Sequence, residues 1–480
     1  MPPRLRSDLP YRRIAVVLSG GGALGAYEVG VLRAVRAAGL EPAVVSGASA
    51  GALNAVVWVA HGFDTRALED VWRRLEPATI GMRWSALAWR SAGAFLVLYG
   101  GLEVALTIMG SPELSLAAWL QGRGVGGLGP GSVLLDAVAW LAVATAGASM
   151  LRGAGETEVA LSAAWAPGRG RSAHRWIASV LVAWAALHVF AWGMGFPWPH
   201  RFSATLLAVA TTIWLAAKPG RTGAWLRGIF ARLLPESRGR GFWGGSARRK
   251  LLRTLVASGD AKRLVSGRPV VILSGLSLDN GRVALFVSGE EIGEEFRARA
   301  DAALGEAIEI RTPEEVLNAA IASSSIPIFF EPSRVGGREF LDAVALSTHP
   351  LQAALFAGVD AALAVVVSPS GGPTSGAPPR NLVALWGRYL DIANWRDLQN
   401  EIRSLPADWR AQDTPRRLCL VEPEEPLPGG VLAYAPHRAE ATMRRGEADA
   451  WRALERAGWL DLSDLSGGAQ KNSGRATKPD

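Results

Sequence analysis

Two kinds of apolar pattern divide the chain. Short, continuous apolar runs alternate with longer helical patterns in residues 13–84 and again in residues 246–462. This alternation predicts buried strands and helices in a layered α/β fold. Residues 85–245, which separate the two parts, carry much longer apolar runs. Residues 1–12 are expected to form an N-terminal tail, and residues 463–480 have too little apolar content to fold.

Four apolar runs make up most of residues 85–245: residues 86–110, 133–151, 176–196 and 202–217. A membrane-spanning helix needs about 20 mostly apolar residues. Buried helices of a soluble cap are the alternative, but such helices usually show a polar stripe, and these runs are uniformly apolar. We therefore expect about four transmembrane helices. An even number of spans returns the chain to the side that it left, so that the two α/β parts can meet.

Charge supports this topology. The 480 residues carry a formal net charge of +8, and 49% of them are hydrophobic. Arginine and lysine concentrate on one side of the apolar runs, and the cluster Arg248-Arg249-Lys250 follows the last run. Because positive loops stay in the cytoplasm, we expect a multi-pass protein of the cell membrane, with the catalytic domain and both termini cytoplasmic. The basic residues form no nucleic-acid motif and favour anionic lipid headgroups instead.

Three consecutive glycines follow the first predicted strand. Gly20, Gly21 and Gly22 allow positive φ and close approach of backbone N–H groups, and a helix begins directly after them. Such a turn binds negative charge, either on a phosphate or on an oxyanion. The spacing Gly20, Gly22, Gly25 fits a dinucleotide loop, but the acidic residue expected about 20 residues later would be Glu41, which precedes a proline. We favour the oxyanion of acyl transfer.

A candidate nucleophile comes next. Gly47-Ala48-Ser49-Ala50-Gly51 is a G-x-S-x-G motif between a predicted strand and a predicted helix, the context in which this motif carries a nucleophilic serine. Gly47 and Gly51 allow the sharp turn, and the helix N-terminus stabilises a developing alkoxide. The alternative is that Ser49 merely caps the helix.

The serine needs a base. Asp342 follows an apolar pair at a predicted strand end, and a partly desolvated carboxylate can accept the serine proton. A triad of Ser49, Asp342 and His349 is possible, although His349 lies only seven residues after Asp342 and precedes a proline. Asp342 could also have the common role of a turn-forming or helix-capping residue.

Together these motifs resemble the patatin-like phospholipases of the bacterial type. Gly20–Gly25 resembles their oxyanion-hole motif, and Gly47–Gly51 resembles their nucleophile elbow. Residues 320–332, AIASSSIPIFFEP, resemble the segment before their catalytic aspartate, and Asp342 falls where that aspartate is expected. The resemblance covers about two-thirds of the chain.

The resemblance implies a three-layer α/β/α domain, here interrupted by the predicted transmembrane insert. It implies a hydrolase that cleaves fatty-acyl esters of phospholipids or lysophospholipids at the membrane with a Ser49–Asp342 dyad. Gly20, Gly21 and Gly22 would form the oxyanion hole, without cofactor or metal. The expected partners are membrane lipids and the bilayer, and no nucleic acid.

One departure from the family leaves a second function open. The family usually has Asp-Gly at the base position, whereas this chain has Asp342-Ala343. If the turn needs positive φ after the aspartate, alanine is strained there and Asp342 is displaced. The alternative is therefore a catalytically inactive membrane scaffold or lipid-binding protein on the same fold.

Overall fold

The computed structural model divides the chain into two compact units. One unit comprises Met1–Met82 with Trp243–Asp480, and the other comprises Arg83–Phe242. The structure describes residues 3–82, 84–109, 115, 117, 120–121, 131–152, 243–289, 293–343, 350–369, 372, 382–432 and 434–461.

The strands of the described residues all belong to the first unit. They are β1 (Arg4–Leu5), β2 (Ile14–Leu18), β3 (Val44–Gly47), β4 (Val270–Ser277), β5 (Val283–Ser288), β6 (Gly305–Ile310), β7 (Ser333–Val335), β8 (Arg338–Leu341), β9 (Ala361–Val365), β10 (Leu418–Val421) and β11 (Leu460–Asp461).

The helices are found in both units. They are α1 (Ala26–Ala37), α2 (Ala50–Ala60), α3 (Arg66–Trp72), α4 (Trp84–Ile108), α5 (Gly131–Arg152), α6 (Ser246–Ala257), α7 (Glu294–Ala303), α8 (Pro313–Ser323), α9 (Pro350–Phe356), α10 (Leu382–Ser404), α11 (Ala407–Arg410) and α12 (Pro436–Arg456). Short 3-10 helices lie at Gly22–Gly25, Pro77–Ile80 and Ala261–Leu264.

One large sheet organises the first unit. Its order is β10-β9-β2-β3-β4-β5-β6, and the antiparallel pair β7–β8 joins it through β4. The strands from β10 to β4 are parallel, and Leu18 at the end of β2 is in register with Gly47 at the end of β3. The loops that follow β2 and β3 therefore leave the sheet side by side, at the edge where ligands bind in open α/β sheets.

Helices cover both faces of this sheet, as predicted for an α/β fold. The buried residues of β2 alternate between two cores: Ile14, Val16 and Leu18 pack with helices α1, α2, α8 and α12, while Ala15 and Val17 pack with α7 and α9. Such a continuous apolar run is typical of a parallel strand buried on both faces. Part of the predicted N-terminal tail is also ordered, because β1 pairs antiparallel with β11.

In the second unit, α4 and α5 lie against each other at close range. A Cβ added to Gly100 would lie 2.8 Å from the backbone N of Ala144. Both helices also bury acidic side chains: Glu103 is 0% exposed, and Asp136 is 4% exposed and accepts a hydrogen bond of 2.6 Å from Oγ of Ser115. Large apolar side chains remain exposed on the same helices, among them Leu98, Leu102, Leu134 and Leu141.

The predicted multi-pass location in the cell membrane, with its cytoplasmic termini, is wrong. No helix in the part of the chain that the structure describes combines the length and the apolar character needed to cross a bilayer. The runs 86–110 and 133–151 coincide with the paired helices α4 and α5, in which small residues meet and carboxylates are buried. The runs 176–196 and 202–217 lie outside the described residues.

Candidate active site

The glycine loop follows β2 at the carboxyl edge of the sheet. Gly20, Gly21 and Gly22 have φ angles of +82°, +126° and +57°, which residues with a side chain rarely adopt. Space is equally restrictive, since a Cβ on Gly21 would lie 2.4 Å from Cγ2 of Val367 and one on Gly22 would lie 2.1 Å from the carbonyl oxygen of Val431. The loop conformation therefore requires glycine on both grounds.

The backbone N–H groups of the loop differ in their partners. The N–H of Gly20 donates to Oε1 of Glu28 at 2.8 Å. Within the described part of the chain, no acceptor takes a hydrogen bond from the N–H of Gly21 or Gly22. The amides of Gly21 and Gly22 can therefore bind an oxyanion, whereas Gly20, predicted as a third donor, is bonded to a carboxylate in this structure.

Ser49 lies in the sharp turn between β3 and α2. Its φ of +53° and ψ of −123° are unusual for a residue with a Cβ, and such strain clusters at functional sites. The flanking glycines are tightly packed: a Cβ on Gly47 would lie 2.7 Å from the carbonyl oxygen of Gly51, and one on Gly51 would lie 2.4 Å from that of Leu18. Both glycines of the motif are thus needed for the turn.

This turn and the glycine loop are in direct contact. A Cβ on Gly20 would lie 3.0 Å from Cβ of Ser49 and 2.4 Å from the carbonyl oxygen of Ala48. Ser49 is 6% exposed. A reacting carbonyl group bound at Ser49 would therefore lie beside the amides of the loop.

The segment Ser323–Ser325, the serine triplet, connects Ser49 with Asp342. It begins at the last residue of α8. The N–H of Ser49 donates to Oγ of Ser323 at 2.9 Å, and the N–H of Asp342 donates to the carbonyl oxygen of Ser325 at 3.0 Å. Two residues that are far apart in the sequence are thus attached to one buried tripeptide.

Asp342 directly follows β8 and is 1% exposed. The residue after it, Ala343, is also 1% exposed. Ser49, Phe63 and Ile328 are the non-glycine residues with positive φ in the described part of the chain, so Ala343 is not among them. The strain that Asp-Ala was expected to introduce is therefore absent at Ala343.

Arg248 and Tyr434 lie close enough to Asp342 to interact with it electrostatically. Arg248 is 4% exposed, and its guanidinium donates to the carbonyl oxygen and Oγ of Ser324 and, at 3.1 Å, to Oγ of Ser325. Desolvation lowers the pKa of Arg248 to about 10 and raises the pKa of Tyr434 to about 12. A buried cation and a phenol thus lie within electrostatic range of the candidate base.

Arg248 was counted among the basic residues that follow the last apolar run, and its burial was not predicted. In α6, Arg248 shares the buried face with Leu252 and Val256. These residues follow one another at intervals of four, which is the spacing of one helix face. This periodicity was the available signal for the burial of Arg248.

Glu28 was also missed as part of the site. It is 0% exposed, and its Oε2 accepts from Nδ2 of Asn54 at 2.7 Å. Asn54 also donates to the carbonyl oxygen of Gly25 at 3.0 Å and accepts from Nε1 of Trp72 at 3.0 Å. Burial raises the pKa of Glu28 to about 7, against the opposing effect of its two donors, Asn54 and the N–H of Gly20. The position of this glutamate within an apolar helical pattern could have indicated that it is buried.

The described residues do not test the alternative triad. His349 of the alternative triad lies outside the described residues. The ring of His61 forms a hydrogen bond of 2.9 Å with the carbonyl oxygen of Leu255 in α6. In the ranges that the structure describes, no group of His, Cys, Asp or Glu residues has the arrangement of a metal site.

The sequence matches a known protein family. A family model described as patatin-like phospholipase matches residues 16–355, which is more than half of the chain. No curated protein matches the sequence.

Solved structures with similarity to this chain have low identity. VipD from Legionella pneumophila is 12% identical with a TM-score of 0.37, over 95% of this chain and 70% of that one. The type III effector protein ExoU is 14% identical with a TM-score of 0.27, over 96% of this chain and 60% of that one. ExoU in complex with SpcU, from the type III secretion system of Pseudomonas aeruginosa, is 15% identical with a TM-score of 0.23, over 96% and 57%. This chain therefore spans less than two thirds of ExoU.

Proposed function

The chain belongs to the patatin-like phospholipase family and is a lipid acyl hydrolase, and from this premise we propose that it cleaves fatty-acyl esters of phospholipids or lysophospholipids with a Ser49–Asp342 dyad. The observation that carries the proposal is the pair of hydrogen bonds to the serine triplet, one from the N–H of Ser49 and one from the N–H of Asp342. They support a shared site for a nucleophile and a base that come from distant parts of the chain.

In the first half of the proposed reaction, Oγ of Ser49 attacks the ester carbonyl carbon while Asp342 takes the hydroxyl proton. The carbonyl oxygen becomes an oxyanion, and the N–H groups of Gly21 and Gly22 donate to it. Collapse of this intermediate breaks the ester bond, and Asp342 returns its proton to the leaving alcohol. Ser49 then carries the fatty-acyl group.

In the second half, a water molecule attacks the acyl-serine carbonyl, and Asp342 accepts its proton. The same amides stabilise the second oxyanion. Collapse releases the fatty acid, and the proton held by Asp342 restores the Ser49 hydroxyl. The N-terminus of α2, which begins at Ala50, favours negative charge on the serine oxygen in both halves.

We propose that the substrate is reached at a lipid surface. The formal net charge of +8 favours attraction to anionic headgroups. Hydrolysis should then be faster on vesicles that contain an anionic phospholipid than on neutral vesicles, and added salt should reduce the difference because it screens exposed charges.

We further propose that residues 13–84 and 246–462 form one catalytic domain and that residues 85–245 are inserted into it. The division into two compact units supports this, because the first unit joins both parts and the second lies within 85–245 except for residues 83 and 84.

The test compares fatty-acid release by the parent protein and by Ser49→Ala and Asp342→Asn. Both variants should lose activity, Asp342→Asn by about 10²- to 10⁴-fold, the usual contribution of a positioned general base. Asp360→Asn is the matched control, since this carboxylate accepts hydrogen bonds from the N–H groups of Arg12 and Arg13, before β2 begins. Release at the parent rate by Ser49→Ala or Asp342→Asn would refute the dyad.

The alternative of an inactive scaffold or lipid-binding protein rests on Asp342-Ala343. The φ of Ala343 is not positive, which weakens this alternative. A fluorophosphonate probe separates the two functions, because it reacts with an activated serine and not with an inert one. Labelling of the parent and none of Ser49→Ala is expected, and an unlabelled, folded parent would favour the scaffold.

A further inference from the structure

Arg248 is a buried cation in the first unit. It is 4% exposed, and its Cζ lies 3.7 Å from the ring centroid of Phe330. Its hydrogen bonds end on Ser324 and Ser325, at distances of 2.9 Å to Oγ of Ser324 and 3.1 Å to Oγ of Ser325. In the described part of the chain, no carboxylate forms a direct ion pair with it. Its guanidinium is thus held by serine oxygens and an aromatic ring.

Burial of the Arg248 charge is costly, and we therefore asked which groups favour it. Removing an ion from water costs several kcal/mol even after the protein has relaxed. The charged and titratable groups that act on Arg248 are Asp342, Tyr434, Glu331 and Arg249, and the first three favour its positive charge. Asp342 is the one among them that the proposed reaction uses.

The contacts of Arg248 lie on the same tripeptide that holds the proposed dyad. Ser323 accepts from the N–H of Ser49, and Ser325 accepts from the N–H of Asp342. Arg248 binds Ser324 between them, through its carbonyl oxygen and Oγ, and also Oγ of Ser325. A shift of the triplet would therefore move both members of the dyad.

We infer that Arg248 is a positioning residue for the proposed Ser49–Asp342 dyad: it holds the serine triplet in place, and its charge stabilises the ionised form of Asp342. The inference rests on the proposed function, because it assigns Arg248 no role apart from that dyad. It needs no contact between Arg248 and the substrate.

The two parts of this role predict different kinetic effects. Displacement of the triplet lowers kcat, since misplacement of a reacting group by about 1 Å can cost about 100-fold in rate. Loss of the positive charge makes Asp342 harder to ionise, so the acid limb of the pH profile of kcat/KM moves to higher pH. Because the inferred role involves no contact with the substrate, KM should change little.

The experiment compares Arg248→Met, Arg248→Lys and the control Arg253→Met. Arg253 lies on the same helix, is exposed and pairs with Glu314. Initial rates on a micellar lysophospholipid give kcat and KM from pH 4 to pH 9, and fluorophosphonate labelling reports the reactivity of Ser49.

We expect Arg248→Met to lower kcat by about 10- to 100-fold, with KM near the parent value. Its acid limb should move up by about 0.5 to 1 pH unit. Arg248→Lys keeps the charge but not the planar fork, so its kcat should fall about 10-fold with the acid limb unmoved. Arg253→Met should match the parent throughout.

A folded Arg248→Met variant with the parent kcat overturns the inference. A folded variant with reduced kcat but an unmoved acid limb overturns it as well, because the loss of rate would then come from disturbed packing and not from the missing charge. If Arg248→Met does not fold, Arg248→Lys decides: reduced kcat at the parent KM supports the inference, and the parent kcat overturns it. Activity of Ser49→Ala in the same assay would instead show that the proposed function itself is wrong.

Discussion

The backbone N–H of Gly20 donates a hydrogen bond of 2.8 Å to Oε1 of Glu28, so a fully buried carboxylate lies behind the glycine loop. Glu28 is fixed in turn by Asn54 of α2, the helix that follows the candidate nucleophile. The glycine loop and the turn at Ser49 are therefore connected through side chains as well as through the direct contact of their backbones.

We predict that Glu28→Ala lowers kcat by at least about 10-fold and changes KM little, because the glycine loop loses its anchor. The substitution also leaves the N–H of Gly20 and an N–H of Asn54 without their acceptor, which costs about 1–3 kcal/mol per buried group. Steady-state rates on lysophospholipid micelles, with circular dichroism to verify folding, measure both effects.

Glu440→Ala is the matched control for Glu28→Ala. This carboxylate of α12 pairs with Arg73 at 3.0 Å and does not bond to the glycine loop. The control should retain the parent kcat. A folded Glu28→Ala variant that also retains it would show that the loop keeps its conformation without the carboxylate.

Gly22→Ala should abolish activity and destabilise the protein. The added Cβ would lie 2.1 Å from the carbonyl oxygen of Val431, so the loop or the facing backbone must move. Gly358→Ala is the control, because Gly358 also has positive φ but nothing lies within 4 Å of its added Cβ. Both variants incur the cost of a left-handed conformation, about 1–2 kcal/mol, and the difference between them measures the clash.

Thermal unfolding and fatty-acid release test this pair. Gly358→Ala should lose a little stability and no activity, whereas Gly22→Ala should lose both. Parent-level hydrolysis by Gly22→Ala would mean that the amides of this loop do not bind the oxyanion.

The motifs of the candidate site could be recognised in the sequence, whereas the contacts that support them in the fold could not. Ser49 lies in a motif in which strand, turn and helix are contiguous, and the short apolar run of Ile14–Leu18 indicated a buried strand because such runs occur in parallel sheets. Arg248 bonds to Ser324, which lies 76 positions away, and no local pattern identifies such a partner. Only the burial of Arg248 could be predicted, from its four-residue spacing with Leu252 and Val256.

The membrane interpretation failed for a related reason. Uniform apolar runs predict burial, but they do not specify whether lipid or another helix provides it. In the described residues, Gly100 of α4 lies against Ala144 of α5, and Asp136 accepts hydrogen bonds from Ser115 and Ala117. These contacts depend on which helices pair, which the apolar pattern of a single run does not contain.

The buried carboxyl group of Glu401 should make the stability of the folded protein depend on pH. This residue of α10 is 3% exposed, and its Oε1 accepts from the N–H groups of Leu351 and Gln352, each at 3.0 Å. Burial, together with the nearby Asp397, raises its pKa from 4.5 to about 8. The folded protein therefore binds this proton more tightly than the unfolded chain. The resulting stabilisation is complete below about pH 4.5 and is lost as the pH rises to about 8.

Glu401→Gln should remove this pH dependence, because a glutamine Oε1 can accept both hydrogen bonds without charge. We expect the variant to match the parent at pH 4.5 and to exceed it at pH 8.5 by about 1–3 kcal/mol, since the N-terminus of α9 partly favours the charge. Urea unfolding at the two pH values measures the difference.

Glu315→Gln provides a control of opposite sign. Backbone hydrogen bonds from Arg311 and Thr312 lower the pKa of Glu315, so its stabilisation is present above about pH 4.5 and is lost in acid. That variant should be less stable than the parent at pH 8.5. An equal loss of stability at both pH values in Glu401→Gln would contradict the assignment of the pH dependence to Glu401.

Ala343→Gly tests whether the departure from Asp-Gly impairs the proposed base. Ala343 is 1% exposed and its φ is not positive, so alanine fits the observed backbone without strain. Glycine should bring no gain in kcat and should lower stability by about 0.5–1 kcal/mol, because it has more conformational freedom to lose on folding. A rise in kcat of tenfold or more in Ala343→Gly would mean that the alanine displaces Asp342, and the inactive scaffold would then regain support.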